Sequence, residues 1–265
     1  MTSGGERALV SARTFVADWD RWHAKRRAEV LAPTGPASLA HTAWLDDEFA
    51  AVPDAPGEWA RDGGAVLGRE IGWSGYRSGD GDIVTGETRL EPGEELSDGT
   101  RTLRAHARRD ERALRVFDAG RPAREGIVGI DAYPPESRWV VSADFRPVPG
   151  RVVVDHVDGS TSEHAEAGIA VFLLDGHEIA LEVRVGERGL SAVFADSGSG
   201  GAHNAFRFLS LPSPDRTGRT LVDFNRATLP PCAFSDQFAC PLPSAANRLP
   251  VNVAAGERAP RRKRD

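Results

Sequence analysis

His203, Asp223 and Cys232 are the residues of this 265-residue chain whose types and surroundings could do acid–base or nucleophilic chemistry. A histidine titrates near neutrality, a carboxylate can take or orient a proton, and a thiol beside a base becomes a nucleophile. Asp223 and Cys232 share one segment, DFNRATLPPCAFSDQFACPLPSAANRLP, from Asp223 to Pro250, which also carries Asn225, Arg226, Asn247 and Arg248. With Arg207 upstream, these guanidinium and amide groups suit a carboxylate or phosphate. The expectation is a pocket near the C-terminal segment that binds or transforms a small anionic or polar metabolite. His203, Asp223 and Cys232 are its candidate catalytic residues, and Arg207, Asn225, Arg226, Asn247 and Arg248 its candidate ligand-binding residues. In the alternative, the same groups satisfy one another, and the segment is an architectural clasp in a non-catalytic interaction module. Side chains converging on an open concavity favour the first, and mutual satisfaction favours the second.

Other chemistries are constrained by spacing. Cys232 and Cys240, the two cysteines of the chain, are separated by seven residues, unlike a zinc knuckle, and no histidine stands near them. They read as packed thiols, as a pair open to oxidation, or as one reactive thiol. Asp155, His156, Asp158, Glu163, His164 and Glu166 form a histidine–carboxylate patch in DHVDGSTSEHAEAG, read as a solvated acidic loop, and no metal is assigned. The glycines of DSGSGG before His203 lack the spacing of phosphate-binding loops. Ser197 precedes Ser199 where a nucleophile elbow needs glycine, so a hydrolase of that type is not expected. The sequence names no cofactor.

The elements that must position these residues are mostly strands. Ala65–Leu67, Ile83–Leu90, Thr102–Ala107, Arg112–Phe117, Arg138–Phe145, Val152–Val157, Ile169–Leu174, Glu178–Val185, Leu190–Phe194 and Thr220–Phe224 are short apolar runs bounded by turn residues. Asp175-Gly176 predicts a two-residue hairpin turn, and residues 186–189 predict the next, giving a meander. Ahead of them, Ala8, Ala12, Phe15, Val16, Trp19, Trp22 and Val30 follow helical spacing, and Pro33 and Gly35 stop the helix. Residues 44–52 predict a short second helix. The fold class is mostly β, an antiparallel sandwich or barrel-like arrangement with an N-terminal α-helix. The expected divisions are a helical extension over 1–53, β subdomains over 54–146 and 151–258 separated by the RPVPG segment, and a disordered basic tail over 259–265.

Composition excludes some classes. Net charge is −6, against a general nucleic-acid binder. No run approaches the ~18 apolar residues of a membrane span, and no secretory signal is legible, so the expectation is a cytoplasmic protein without nucleic-acid or membrane partners.

The C-terminal sequence resembles the bacterial family called domain of unknown function 1684. The likeness rests on Val222–Ala227, Pro230–Phe234, Cys240–Pro243, Asn247–Pro250 and Ala255–Glu257, with weaker likeness in the opening helix and in GIDAYPPESRWVVSADFRP. It implies a mostly β protein and no settled activity. Some members have an N-terminal half reminiscent of forkhead-associated β sandwiches. This chain departs from the family pattern at His203, Phe206, Thr228, Leu229 and Ala246.

Overall fold

The computed structural model describes residues 3–72, 74–186 and 189–263, without the side chains of residues 3–12, Pro149 and Glu166. In chain order its elements are α1 (Ser3–Val30), β1 (Leu39–Leu45), β2 (Ala50–Ala51), β3 (Glu58–Asp62), β4 (Ala65–Arg69), β5 (Thr88–Leu90), β6 (Glu95–Ser97), β7 (Arg101–Arg108) and β8 (Glu111–Asp118). There follow the one-turn α2 (Arg121–Arg124), β9 (Ile127–Ala132), β10 (Val140–Asp155), β11 (Thr161–Leu174), β12 (His177–Gly186), β13 (Gly189–Phe194), β14 (Arg207–Leu211), β15 (Arg219–Asp223) and β16 (Glu257–Arg262). The protein is mostly β and antiparallel, with an N-terminal helix, as its alternating runs and turns predict.

The chain forms two units interleaved in sequence. One contains residues up to 27, 130–233 and 239–261; the other contains 28–129, 234–238 and 262 onward. This differs from a linear division at residues 146–151. The RPVPG segment lies inside β10, where the register shifts between Pro147 and Gly150. A bulge tolerates proline because the ladder is interrupted there. The tail expected from residue 259 is β16 as far as Arg262.

In the second unit, two four-stranded sheets, β1-β8-β7-β6 and β2-β3-β4-β5, contribute to one core. Leu45, Leu96, Leu103 and Leu114 come from the first, and Trp59, Val66 and Leu90 from the second. Gly68 pairs opposite Trp59, and a Cβ there would lie 2.6 Å from the indole ring, so only glycine fits. Residues 44–52 are not helical. Trp44 and Leu45 pair with Ala113 and Arg112 of β8, and tertiary pairing overrides the local pattern. Within the expected run 83–90, Thr88–Leu90 is strand and Ile83 makes an isolated bridge to Arg77.

The first unit is built on a six-stranded sheet, β14-β13-β12-β11-β10-β15. Asp175 and Gly176 have φ of 46° and 80°, the left-handed pair that a primed hairpin turn requires. The next turn, at residues 187–188, lies outside the described residues. Ala170, Phe172, Leu181, Val183, Phe194, Leu209, Val222 and Phe224 form the core. Phe15, Trp19 and Trp22 continue the stripe of α1, whereas Ala8 and Ala12 precede the described side chains. Trp19 is buried, and its indole N–H donates to the Asn225 carbonyl at 2.8 Å.

Candidate functional site

Most of the residues singled out by the sequence fall into three places in the first unit. The first is a buried ionic network. His203 Nε2 lies 2.8 Å from Asp196 Oδ1, and its Nδ1 lies 3.2 Å from the Tyr133 hydroxyl. Arg207 donates to Asp196 Oδ2 at 2.6 Å, to the Val253 carbonyl at 2.9 Å and to the Ala255 carbonyl. The side chains of His203, Asp196 and Arg207 are 0% exposed, so no solvent-borne ligand reaches them in this state. Burial alone would raise the Asp196 pKa; the His203 hydrogen bond and the Arg207 charge outweigh it and hold the carboxyl below its usual range. Asp196 and Tyr133 were not singled out from sequence. Asp196 begins the DSGSGG turn, where it accepts from the Gly198 N–H at 2.8 Å.

The second place fastens α1. Asp223 accepts from the Asn225 backbone at 3.0 Å and side chain at 2.9 Å, and faces Arg226 Nε at 3.3 Å. Arg226 also pairs with Asp18 and stands over the Trp22 ring at 5.7 Å. Asp223 and Arg226 thus form an ion pair within one turn. Arg248 is not part of it: its side chain is exposed, with no hydrogen bond or ion pair among the described residues.

Asn225 and Asn247 do one job at two positions. Asn225 accepts from the Glu136 N–H at 2.9 Å and donates to the Glu136 carbonyl at 3.0 Å. Asn247 accepts from the Glu182 N–H at 2.8 Å, and donates to the carbonyls of Glu182 at 3.0 Å and Val193 at 2.9 Å. Each carboxamide stands in for a strand peptide, satisfying backbone groups that would otherwise be buried unpaired. At Asn247 the cause is visible in the sheet. The β12–β13 ladder runs from Gly186/Gly189 to Arg184/Ser191, and beyond it the NRLP segment runs beside the end of β13. Leu249 donates to the Ala195 carbonyl at 2.8 Å, and Ala195 donates to the Asn247 carbonyl at 3.0 Å.

Cys232 and Cys240 are free thiols in contact, with the Cys232 N–H donating to Cys240 Sγ at 3.3 Å. The hydrogen bond with the Cys240 side chain, then burial, push the Cys232 thiol pKa up. A thiol so held is not an activated nucleophile.

The third place is a cleft that Asn247 helps to build. CPLP pairs with the end of β10: Val157 donates to the Cys240 carbonyl at 2.9 Å, and Leu242 to the Asp155 carbonyl at 2.7 Å. This segment then crosses to Asn247 on β12 and β13. Between sheet and segment lies a cavity of about 200 Å³, lined among others by Val152, Val154, Val193, Leu242, Arg184 and Asn247. Arg184 and Gly150 both pair with position 166, and Val152 and Val154 follow Gly150 in alternation, so all share one sheet face. Arg184 is half-buried and has no carboxylate within ion-pair distance among the described residues. Burial lowers its pKa, while the charge of Glu182 opposes the shift. Glu182 itself accepts from the Ser244 hydroxyl at 2.6 Å. Among the candidate residues, Asn247 alone lines this cavity. Arg184 and the valines escaped the sequence reading, because an arginine within a strand gives no sign of which face is covered.

The acidic loop expected around residues 155–166 is the hairpin between β10 and β11, and no cluster of three or more metal-ligating side chains occurs among the described residues. Nor does any described helix have the length and apolarity to cross a membrane.

Fold and site thus define a mostly β protein with a cleft between a curved antiparallel sheet and a proline-rich C-terminal segment. The chain belongs to the family described as "Protein of unknown function (DUF1684)", whose model matches residues 126–258. It is similar to the solution NMR structure of an uncharacterised protein from gene locus rrnAC0354 of Haloarcula marismortui, at 28% identity and a TM-score of 0.41, over 51% of this chain and 78% of that one. No curated protein matches the chain.

Proposed function

We propose that this protein binds a small amphipathic carboxylate in the cleft between β10–β12 and the CPLP-to-Asn247 segment. One observation carries the reading: Arg184, half-buried and without a carboxylate partner among the described residues, lines a cavity whose other walls include Val152, Val154, Val193 and Leu242. A guanidinium with spare donors in a cleft that has both apolar walls and polar groups, Asp155 and Glu182 among them, suits a short acyl chain ending in a carboxylate. An apolar cavity of about 150 Å³ holds benzene, so the volume here suits a chain of several carbons. Asn225, Asn247, Arg207 and Asp196 are architectural in this reading, since their polar groups are engaged within the fold. Free Cys232 and Cys240 are in keeping with a cytoplasmic setting.

The test is thermal unfolding with hexanoate and, separately, hexanol. A ligand at 100 times its Kd stabilises by about 2.7 kcal/mol, which raises Tm by roughly 5 °C or more at this size. Hexanoate is expected to give that shift in the wild type and in Arg226→Ala, and to lose it in Arg184→Leu. An equal shift with hexanol, or one that persists in Arg184→Leu, overturns the reading.

A further inference from the structure

One cluster on the cleft's sheet face is used by neither the clasp nor the cavity. His156 and Ser162 stand either side of the Asp158-Gly159 turn, where Gly159 has φ of 79°. His156 Nδ1 lies 3.0 Å from the Ala239 carbonyl oxygen. A carbonyl only accepts, so in the neutral imidazole Nδ1 carries the proton and Nε2 presents the lone pair. Ser162 Oγ lies 2.5 Å from that Nε2, and its hydroxyl donates to it. His164 Nε2 lies 2.7 Å from the same oxygen; with the hydroxyl proton committed to His156, this nitrogen is the donor. A hydroxyl, a base in the accepting tautomer and a third group that fixes the base are the parts of an activated serine nucleophile.

Their position matters as much as their bonding. Ser162 pairs directly opposite Val154, and His164 opposite Val152. Cross-strand partners share a face with Cβ atoms about 5 Å apart, so Ser162 stands beside the valines that line the cavity. The carbonyl that orients His156 comes from Ala239, just before the CPLP segment that covers those valines. The His156–Ser162 pair therefore stands next to Val154, just outside the cavity's own lining, and Arg184 lies at the other end of the cleft.

The geometry points to Ser162 as the nucleophile, and His156 as the general base, of an esterase acting on monoesters or monothioesters of short dicarboxylic acids, the ester carbonyl at Ser162 and the free carboxylate on Arg184 at the other end of the cleft. This rests on the cleft being a ligand site. Ser162 Oγ attacks the ester carbonyl while its proton passes to His156 Nε2. The bond from carbonyl carbon to the leaving oxygen or sulfur breaks, and His156 returns that proton to the departing alcohol or thiol. Water then attacks the acyl-serine, gives its proton to His156, and the released Oγ takes it back, freeing the carboxylic acid. No oxidant, metal or cofactor enters the balance. The serine is carried on a strand, which is why no elbow motif announces it.

The experiment uses the full chain with a fluorophosphonate probe and with the mono-4-nitrophenyl ester of glutaric acid. The expected result is a probe adduct on Ser162, and ester hydrolysis that falls at least 100-fold in Ser162→Ala and in His156→Asn. Asparagine retains an N–H for the Ala239 carbonyl but has no base, so His156→Asn tests chemistry, not folding, and circular dichroism confirms the fold. Absence of an adduct at Ser162, or hydrolysis in Ser162→Ala equal to wild type, overturns the assignment. The hexanoate shift and its loss in Arg184→Leu are read on the same preparations. They survive if the nucleophile alone is wrong, and vanish if the cleft is not a site.

Discussion

Asn247 makes three hydrogen bonds to main-chain groups that have no other strand beside them, which gives this side chain a measurable weight. Asn247→Ala leaves one N–H and two carbonyls unpaired, and is expected to cost about 2–4 kcal/mol, read as a lower urea midpoint at unchanged m. A cost below 0.5 kcal/mol would contradict the role. A different test applies to His106, half-buried with its ring 5.9 Å from that of Trp44. Burial, then the charges of Arg115 and Arg108, push its pKa down from 6.5 to about 4. Between those values the unfolded chain binds more protons than the folded one, so stability rises with pH across the window. The contribution is complete above pH 6.5 and is lost as pH falls towards 4. Solvent screening at this half-exposed site keeps it to about 1–2 kcal/mol. His106→Gln is expected to flatten the stability profile over that window, and an unchanged slope would refute the assignment. Of the candidate residues, the pairing of Asp223 with Arg226 was not legible from alternation, which sets the two on opposite sides; the tight turn at Phe224–Arg226 brings them together. Nor was the burial of His203 against Asp196, because it depends on where the chain from Val253 to Glu257 returns over Arg207.

At the scale of elements, Gly168 is where β11 changes its register with β12. Its φ is 151°, and a Cβ would lie 2.2 Å from the Arg146 carbonyl oxygen. Gly168→Ala is therefore expected to destabilise the protein by about 2–4 kcal/mol and to disturb the cleft beyond the bulge. Proton chemical shifts of Val152 and Val154 should move with it, and unmoved shifts would show that the bulge does not set the cleft. The strands around the Asp175-Gly176 hairpin were legible because a two-residue turn fixes register and alternation fixes the faces. β1 was not, since LAHTAWL carries no clean alternation and gains its strand form from β8. The histidine–carboxylate run at 155–166 was visible as composition. That the turn at Gly159 sets Ser162 opposite Val154 is a matter of register, which composition does not reveal.

At the scale of the whole molecule, the chain visits each unit more than once. Residues 234–238 complete the unit that contains residues 28–129. Ser235 donates to the Leu39 carbonyl at 2.8 Å, Gln237 bonds Thr42 at 2.9 and 3.0 Å, and the Phe234 carbonyl accepts from Arg121 at 3.1 Å. A fragment of residues 28–129 lacks these partners, and its β1 amides are expected to exchange with solvent at least tenfold faster than in the intact chain. Equal protection would show that the inserted segment adds nothing to that unit. Composition and turn spacing revealed the fold class, but no local pattern reveals a five-residue insertion bonded to strands about 195 positions earlier.

Everything said of function depends on the cleft holding a ligand, and photo-crosslinking with a diazirine-bearing hexanoate, followed by peptide mass spectrometry, tests it. Labels are expected to be confined to Val152–Asp155, Glu182–Val193 and Leu242–Asn247, competed away by unlabelled hexanoate and absent in Arg184→Leu. Labels centred on Arg226 or Arg248, or scattered labels that excess hexanoate does not displace, would contradict it.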